Sequence, residues 1–359
     1  MKAVVLTGLS QMELREVPDP SIQKETDVLL KIETIGICGS DVHYYETGRI
    51  GEQIVEYPFI LGHECSATVK AVGKSVTRVT VGEEVFVEPS APCHNCQQCA
   101  QGRENTCYNV RFLGTPEQGD GCLSEYIVMP EECCFPTKGK ISLEQAALCE
   151  PLSIGYYAVK RAGLEENANV AILGAGPIGL SCLLNAIAAK ARVCYVTDKI
   201  DERVEGAKKG GADWTGNPDK QDIVKEILDR QPLGVDYVFE CAGQQEAIDQ
   251  AIEILEPGGK LVLIGSPRTE RISMEISRLR RKEIAIINVR RQNKCVQPAI
   301  DLVTSGKINA DFMVTHRFSF EQTQQAFDLV AGYQDGVIKA MISLKINKSI
   351  VEIKLDELA

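Results

Sequence analysis

From Met1 to about Glu150 the apolar residues come in short runs, several alternating with polar ones and interrupted by glycine and proline. Asp27-Val28-Leu29-Leu30-Lys31-Ile32-Glu33 and Glu84-Val85-Phe86-Val87 are examples, and patterning of this kind predicts short strands. The first half is therefore expected to be mainly β. From Pro151 to about Val289 continuous apolar runs alternate instead with stretches of helical period. Val170 to Leu173, Val193 to Thr197, Val235 to Glu240, Lys260 to Ile264 and Ile284 to Val289 read as strands buried on both faces, with crossover helices between them. Beyond Val289, a helical stretch near Gln297 to Ser305 and a late strand near Ala340 to Leu344 are too little to build a core. This tail is expected to return and complete the first unit.

The length of 359 residues exceeds what one core usually organises. The fold class expected is α/β, with a mainly β unit of residues 1–152 and 290–359 and a doubly wound parallel-sheet (Rossmann) unit of residues 153–289. A formal net charge of -11 would repel phosphate backbones and anionic membrane surfaces, so neither nucleic acid nor membrane is an expected partner. The basic run Arg278-Leu279-Arg280-Arg281-Lys282 reads as a solvated helix face. No leader pattern and no run of about 18 apolar residues is present. Fourteen cysteines in a long leaderless chain point to reduced thiols and metal ligands, hence to the cytoplasm.

In Asn169-Val170-Ala171-Ile172-Leu173-Gly174-Ala175-Gly176-Pro177-Ile178-Gly179, glycines at 174, 176 and 179 lie between an apolar strand and a helical pattern. That context suits a dinucleotide: Gly174 permits a tight turn, Gly176 lets a pyrophosphate approach, and Gly179 lets helix and strand pack closely. Pro177 and Ile178 open the helix whose free N–H groups face the anion. About twenty residues on, Asp198 ends the next strand; it can bind both ribose hydroxyls and repel a 2′-phosphate, which favours NAD. Lys199 and Arg203 are near enough to soften that discrimination, and Arg203 joins the cofactor-binding candidates. The other reading of Asp198 is a surface residue capping the following helix.

Cys93, Cys96, Cys99 and Cys107 form C-x2-C-x2-C-x7-C in a polar lobe of about residues 89–110. Four thiolates close a tetrahedral shell around zinc and leave no position for substrate, so the role expected is structural. An iron–sulfur cluster uses similar ligands, but nothing nearby demands an electron carrier. His94 lies inside the lobe, yet four sulfurs already complete the shell.

A second set is dispersed: Cys38 in Gly36-Ile37-Cys38-Gly39-Ser40-Asp41-Val42-His43, then Gly62-His63-Glu64, then Glu150-Pro151. Cysteine, histidine and glutamate together can hold zinc with one position left open for water or an alcohol oxygen. Taken singly, Cys38 would suit a small buried hydrophobe and His63 a core residue.

The order of these motifs resembles the zinc-containing medium-chain alcohol dehydrogenases over essentially the whole chain. Within them it is most similar to the sorbitol (polyol) dehydrogenases, in Asp41-Val42-His43-Tyr44, Gly48-Arg49-Ile50-Gly51, Val87-Glu88-Pro89 and Val314-Thr315-His316-Arg317-Phe318. The resemblance implies a GroES-like first unit, and Cys38, His63 and Glu64 around a catalytic zinc with Glu150 as a direct or water-mediated ligand. It also implies a proton relay through Ser40 and His43, and a polyol pocket lined by Tyr44, Phe112, Thr115 and Arg290. One departure stands out: Arg291 occupies the position where those enzymes usually carry an aromatic residue. A second cation there would favour a phosphorylated or carboxylated sugar.

The function expected is a zinc-dependent hydride transfer between a secondary alcohol of a polyol and NAD, in a homotetramer or, alternatively, a homodimer. The alternatives are a threonine, sugar-phosphate or aldonate dehydrogenase on the same scaffold, and a non-catalytic zinc- and nucleotide-binding protein. A zinc-free quinone reductase of the same fold would lack the cysteine lobe and the Gly-His-Glu motif.

Overall fold

In the computed structural model, which describes residues 1–267, 269 and 271–344, the two kinds of patterning form two separate sheets. The continuous apolar runs make a six-stranded sheet in the order Trp214–Gly216, Val193–Thr197, Asn169–Leu173, Val235–Glu240, Leu255–Leu263, Ala285–Asn288, all neighbours parallel. Asn169–Leu173 is buried throughout because helices cover both faces of the sheet, so its sequence needs no alternation. The strand order reverses at this strand, which opens a crevice beyond its carboxyl end. Trp214–Gly216 was not expected, since three edge residues carry no periodic signal. Leu255–Leu263 begins five residues ahead of the expected start at Lys260, through the two glycines Gly258 and Gly259.

The second sheet runs Cys134–Pro136, Glu84–Val87, Glu64–Val72, Asp27–Gly36, Lys339–Ser343, Val314–Ser319, with Tyr126–Pro130 pairing the first half of Asp27–Gly36. Lys339–Ser343 pairs Thr34 to Gly36 antiparallel, so the tail rejoins the sheet of the first half of the chain, as its lack of a core implies. The last part of that tail, residues 345–359, lies outside the described residues.

One helix, Leu143–Ala162, touches both sheets, and the expected division at residues 152/153 falls inside it. Ser142 and Gln145 form a reciprocal capping box at its start and Gly163 ends it in the left-handed conformation. The basic run forms the helix Ile276–Lys282. Arg278 pairs with Glu253 at 2.6 Å, while Lys282 reaches back to the carbonyls of Ile252, Glu253 and Leu255, capping the preceding helix Gln245–Ile254. Among the described residues no helix is long and apolar enough to cross a membrane.

Gly179 sets the closeness of helix Pro177–Ala188 to the sheet: a Cβ there would lie 1.8 Å from the Gly174 carbonyl oxygen. Both neighbours are backbone and cannot yield. Gly179→Ala is therefore expected to destabilise the chain by about 2–3 kcal/mol, read as a lower urea midpoint, with a loss of NAD binding.

Candidate active site and metal centres

The dispersed donors meet because each lies at the end of an element. Cys38 is the residue before helix Gly39–Thr47, and His63 and Glu64 stand at the start of strand Glu64–Val72. That strand pairs antiparallel with Asp27–Gly36, setting Gly36 opposite Glu64. A Cβ at residue 36 would lie 2.4 Å from Glu64 Oε2, so only glycine leaves room for the carboxylate. As a result one donor atom each from Cys38, His63 and Glu64 lies within 4.8 Å of the others.

Asp41, one turn along the same helix and 1 % exposed, orients this set. Its Oδ1 accepts from the Gly62 amide and lies 3.2 Å from His63 Nδ1, while Oδ2 accepts from the Cys38 amide at 3.3 Å. With Nδ1 engaged, Nε2 is the nitrogen left to bind a metal. Burial opposes charge on His63, but Asp41 and then Cys38 outweigh it and hold its pKa well above the ordinary value. Lys339, 1 % exposed, donates to Glu64 Oε2 at 2.6 Å and to the Ile37 carbonyl at 2.9 Å. Its pKa is raised although burial acts against it, because Glu64 and Cys38 face it.

Glu150, in helix Leu143–Ala162, lies outside the group of donors within 4.8 Å, but its carboxyl is pushed up to about 7 by burial and then by Glu64. Its Oε2 is buried without a hydrogen-bond partner. A buried carboxylate oxygen with no donor, beside a thiol, an imidazole and a second carboxylate, fits a divalent cation, directly or through one water. The pocket that draws a proton onto His63 draws positive charge in general.

Ser40 donates to Cys38 Sγ at 3.4 Å, and His43 follows one turn later on the same helix face. Tyr44 is buried, donates to Gln53 Oε1 at 3.2 Å and is pushed up to about 12 by that burial. Phe112 packs on the His63 ring at 5.3 Å, and Thr115 is buried in the turn that follows. The two arginines differ. Arg290 is exposed, whereas the Arg291 guanidinium lies 3.6 Å above the Phe112 ring, in the field of Tyr44, Glu150 and Glu88. Burial pulls Arg291 down to about 10, and its Nη1 is buried without a partner.

In the lobe, Cys93, Cys96, Cys99 and Cys107 place their sulfurs within 4.8 Å of one another, as free thiols. Amides of Cys99 and Tyr108 pull Cys96 down to about 6, while burial and then the sulfurs of Cys96 and Cys107 push Cys99 up to about 12. Four sulfurs so crowded cannot all lose their protons without a cation among them. His94 turns away to Glu132, 2.8 Å from its Oε2, and is not part of the group.

At the reversed strand order, Gly174 adopts φ +101° and Gly176 precedes helix Pro177–Ala188 without a side-chain cap, so the first amides of Ile178 and Gly179 stay available to a phosphate. Asp198 lies at the end of Val193–Thr197 and accepts from the Ala175 and Ile200 amides at 2.7 and 2.9 Å. Arg203 reaches within 3.5 Å of where a Cβ on Gly176 would stand, and donates twice to the Val337 carbonyl of the returning tail.

Sequence reasoning quoted Asp41 without giving it a task, although its place three residues after Cys38 was the available signal. It gave no role to Lys339 or to Glu88, which is 8 % exposed and bonded to Gln292 at 2.5 Å. Nothing local marks a lysine or glutamate in a strand as buried.

Known proteins match both halves. Residues 24–139 fit the alcohol dehydrogenase GroES-like domain and residues 177–305 the zinc-binding dehydrogenase family. The chain is 38 % identical to a sorbitol dehydrogenase of Bacillus subtilis over 95 % of this chain and 97 % of that protein. It is 36 % identical to a probable D-xylulose reductase A of Aspergillus fumigatus over 92 % and 96 %. A galactitol-1-phosphate dehydrogenase structure from Escherichia coli superposes with a TM-score of 0.88 at 28 % identity, covering 96 % of this chain and 100 % of that one. The first matched region holds both groups of candidate metal donors and most strands of the mainly β sheet, the second holds most strands of the parallel sheet, and the chain belongs to the zinc-binding, GroES-like alcohol dehydrogenases.

Proposed function

We propose that this enzyme oxidises a secondary alcohol of a polyol, sorbitol- or xylitol-like, with NAD, using one catalytic and one structural zinc ion per chain. The observation that carries the proposal is the set of half-buried Cys38 with buried His63 and Glu64, and the buried, partnerless Glu150 oxygen that goes with it. Similarity to a sorbitol dehydrogenase and a D-xylulose reductase supports the polyol class. When bound, zinc supplies Lewis acidity that makes an alcohol hydroxyl acidic near neutral pH, and NAD supplies the hydride acceptor.

The chain's own groups divide the remaining work. Asp41 keeps the His63 proton on Nδ1, and Lys339 holds Glu64 Oε2. In this reading Ser40 Oγ takes the substrate hydroxyl proton and passes it toward His43, one turn along the same helix. Tyr44, Thr115 and Arg290 offer polar partners to the other hydroxyls. Gly174, Gly176 and the start of the following helix cradle the pyrophosphate, and Asp198 takes the ribose and disfavours a 2′-phosphate. The crevice between the two sheets holds both reactants together while excluding water. We place the enzyme in the cytoplasm as a homotetramer, with a homodimer as the alternative; fourteen free thiols are consistent with a reducing compartment.

One observation favours a second reading. The buried, unpartnered Nη1 of half-buried Arg291 suits a sugar phosphate or sugar acid, whose anion would supply the missing acceptor.

Cys38→Ser is expected to bind one zinc per chain instead of two, and to lower turnover at least about a thousandfold; full activity with one zinc would refute the catalytic role. NAD reduction with sorbitol, xylitol, threonine, galactitol 1-phosphate and gulonate should give the highest kcat/KM for one of the two polyols, and a lead for threonine would overturn the polyol class. Arg291→Tyr decides between the readings. A neutral substrate should lose less than about tenfold in kcat/KM, while an anionic one should lose about a hundredfold.

A further inference from the structure

The cysteine lobe is usefully compared with the segment it touches. Residues 290 to 294 leave the last strand of the parallel sheet and cross beneath the lobe, and two of them, Arg291 and Lys294, adopt left-handed φ of +52° and +55°. A non-glycine residue holds that conformation only when its surroundings over-determine it. Here the surroundings are largely the lobe. Asn105, 7 % exposed and two residues before Cys107, donates from Nδ2 to the Arg290 carbonyl at 3.0 Å. Asn293 Nδ2 donates to the Gly102 carbonyl at 2.7 Å, and Lys294 Nζ lies 3.1 Å from Glu104 Oε1. The remaining tie, Gln292 to Glu88, comes from the strand end just before the lobe.

The bond from Asn105 falls on the peptide group that joins Arg290 to Arg291. Holding that peptide plane fixes the frame from which φ of Arg291 is set, and a change in that φ alone would swing the guanidinium off Phe112. Phe112 belongs to the same device: Arg111–Phe112 pairs with Ser90–Ala91 at the two ends of the lobe. Closing the four sulfurs on a metal would therefore fix Asn105 above Arg291 and Phe112 beneath it. Asn105 also lies 3.4 Å from the Tyr157 hydroxyl, which ties it to helix Leu143–Ala162.

We infer that the four-cysteine lobe is a specificity element as well as a structural one, and that Asn105 is a positioning residue that aims Arg291 at the substrate through the Arg290 carbonyl. This rests on the reading that Arg291 lines the substrate pocket. Hydride transfer itself does not pass through these residues, so the cost of losing Asn105 falls on substrate affinity.

The test is a double-substitution cycle with sorbitol as the probe. Asn105→Asp keeps the shape and removes the donor. It is expected to retain two zinc ions per chain and kcat within about twofold, and to raise KM about fivefold to tenfold. Hydrogen exchange should quicken at residues 290–294 and stay unchanged in the six-stranded sheet. In an Arg291→Ala background the same substitution should leave KM within about twofold, because the group it aims is gone. Asn293→Ala is the second variant, in case Asn105→Asp does not fold, and should shift KM in the same direction with the same dependence on Arg291.

If Arg291→Ala alone leaves KM unchanged, the substrate role of Arg291 fails and the inference falls with it. If Arg291→Ala raises KM while Asn105→Asp and Asn293→Ala do not, the pocket reading stands and the inference alone is overturned. A loss of zinc or of kcat with KM unmoved, or effects that add in the double variant, would make the lobe merely structural and likewise overturn it.

Discussion

Charge taken out of water is the constraint around which this molecule is arranged. Within one small region the fold buries Asp41, Glu64, Glu150, His63 and Lys339, each 5 % exposed or less, with the half-buried thiol of Cys38 among them. Isolated, each of these groups would be expensive to bury. Together they largely compensate one another: Lys339 answers Glu64, and His63 answers Asp41. What is left over is the Glu150 carboxyl, whose Oε2 has no partner, with the Cys38 sulfur in the same cluster, and a divalent cation is the natural complement of such donors. The two raised pKa values have different causes: Asp41 and Cys38 hold up His63 against its burial, whereas burial and then Glu64 push up Glu150.

The architecture supplies the precision such a cluster needs. Strands Asp27–Gly36, Glu64–Val72 and Lys339–Ser343 are neighbours in one sheet, so Glu64 and Lys339 are set by backbone ladders rather than by flexible loops. The absent side chain at Gly36 lets the Glu64 carboxylate occupy the space beside the strand. Helix Leu143–Ala162 brings Glu150 from the far side while also packing against the cofactor half. That helix thus packs against both the sheet carrying the candidate donors and the helix that follows the glycine turn, which suits chemistry that needs a hydroxyl-bearing carbon and a nicotinamide in fixed register.

The contacts between the halves follow the same plan. Arg203 stands beside the glycine turn yet bonds Val337 in the tail that returns to the mainly β sheet, and its guanidinium lies 5.1 Å from the Tyr333 ring. On the other flank, Arg290 to Lys294 run from the parallel sheet to the cysteine lobe. Each half thus places residues at the other's ligand site, and the crevice is built by both.

The sequence by itself determined the two kinds of sheet, the glycine turn and the close spacing of the four cysteines. These are local: a strand's periodicity, a turn's need for glycine and the reach between nearby cysteines are written in consecutive residues. The three-residue strand Trp214–Gly216 left no such mark. Only the tertiary structure decided that Lys339 answers Glu64 across the sheet, that Asp41 orients His63, that Glu150 stays outside the closest donor group, and that Arg291 rather than Arg290 lies over Phe112. The physical reason is burial. A lysine, an aspartate or an arginine carries the same symbol whether solvated or enclosed, and its partner comes from another element, 22 residues away for Asp41 and 275 for Lys339, that meets it only once the chain has folded.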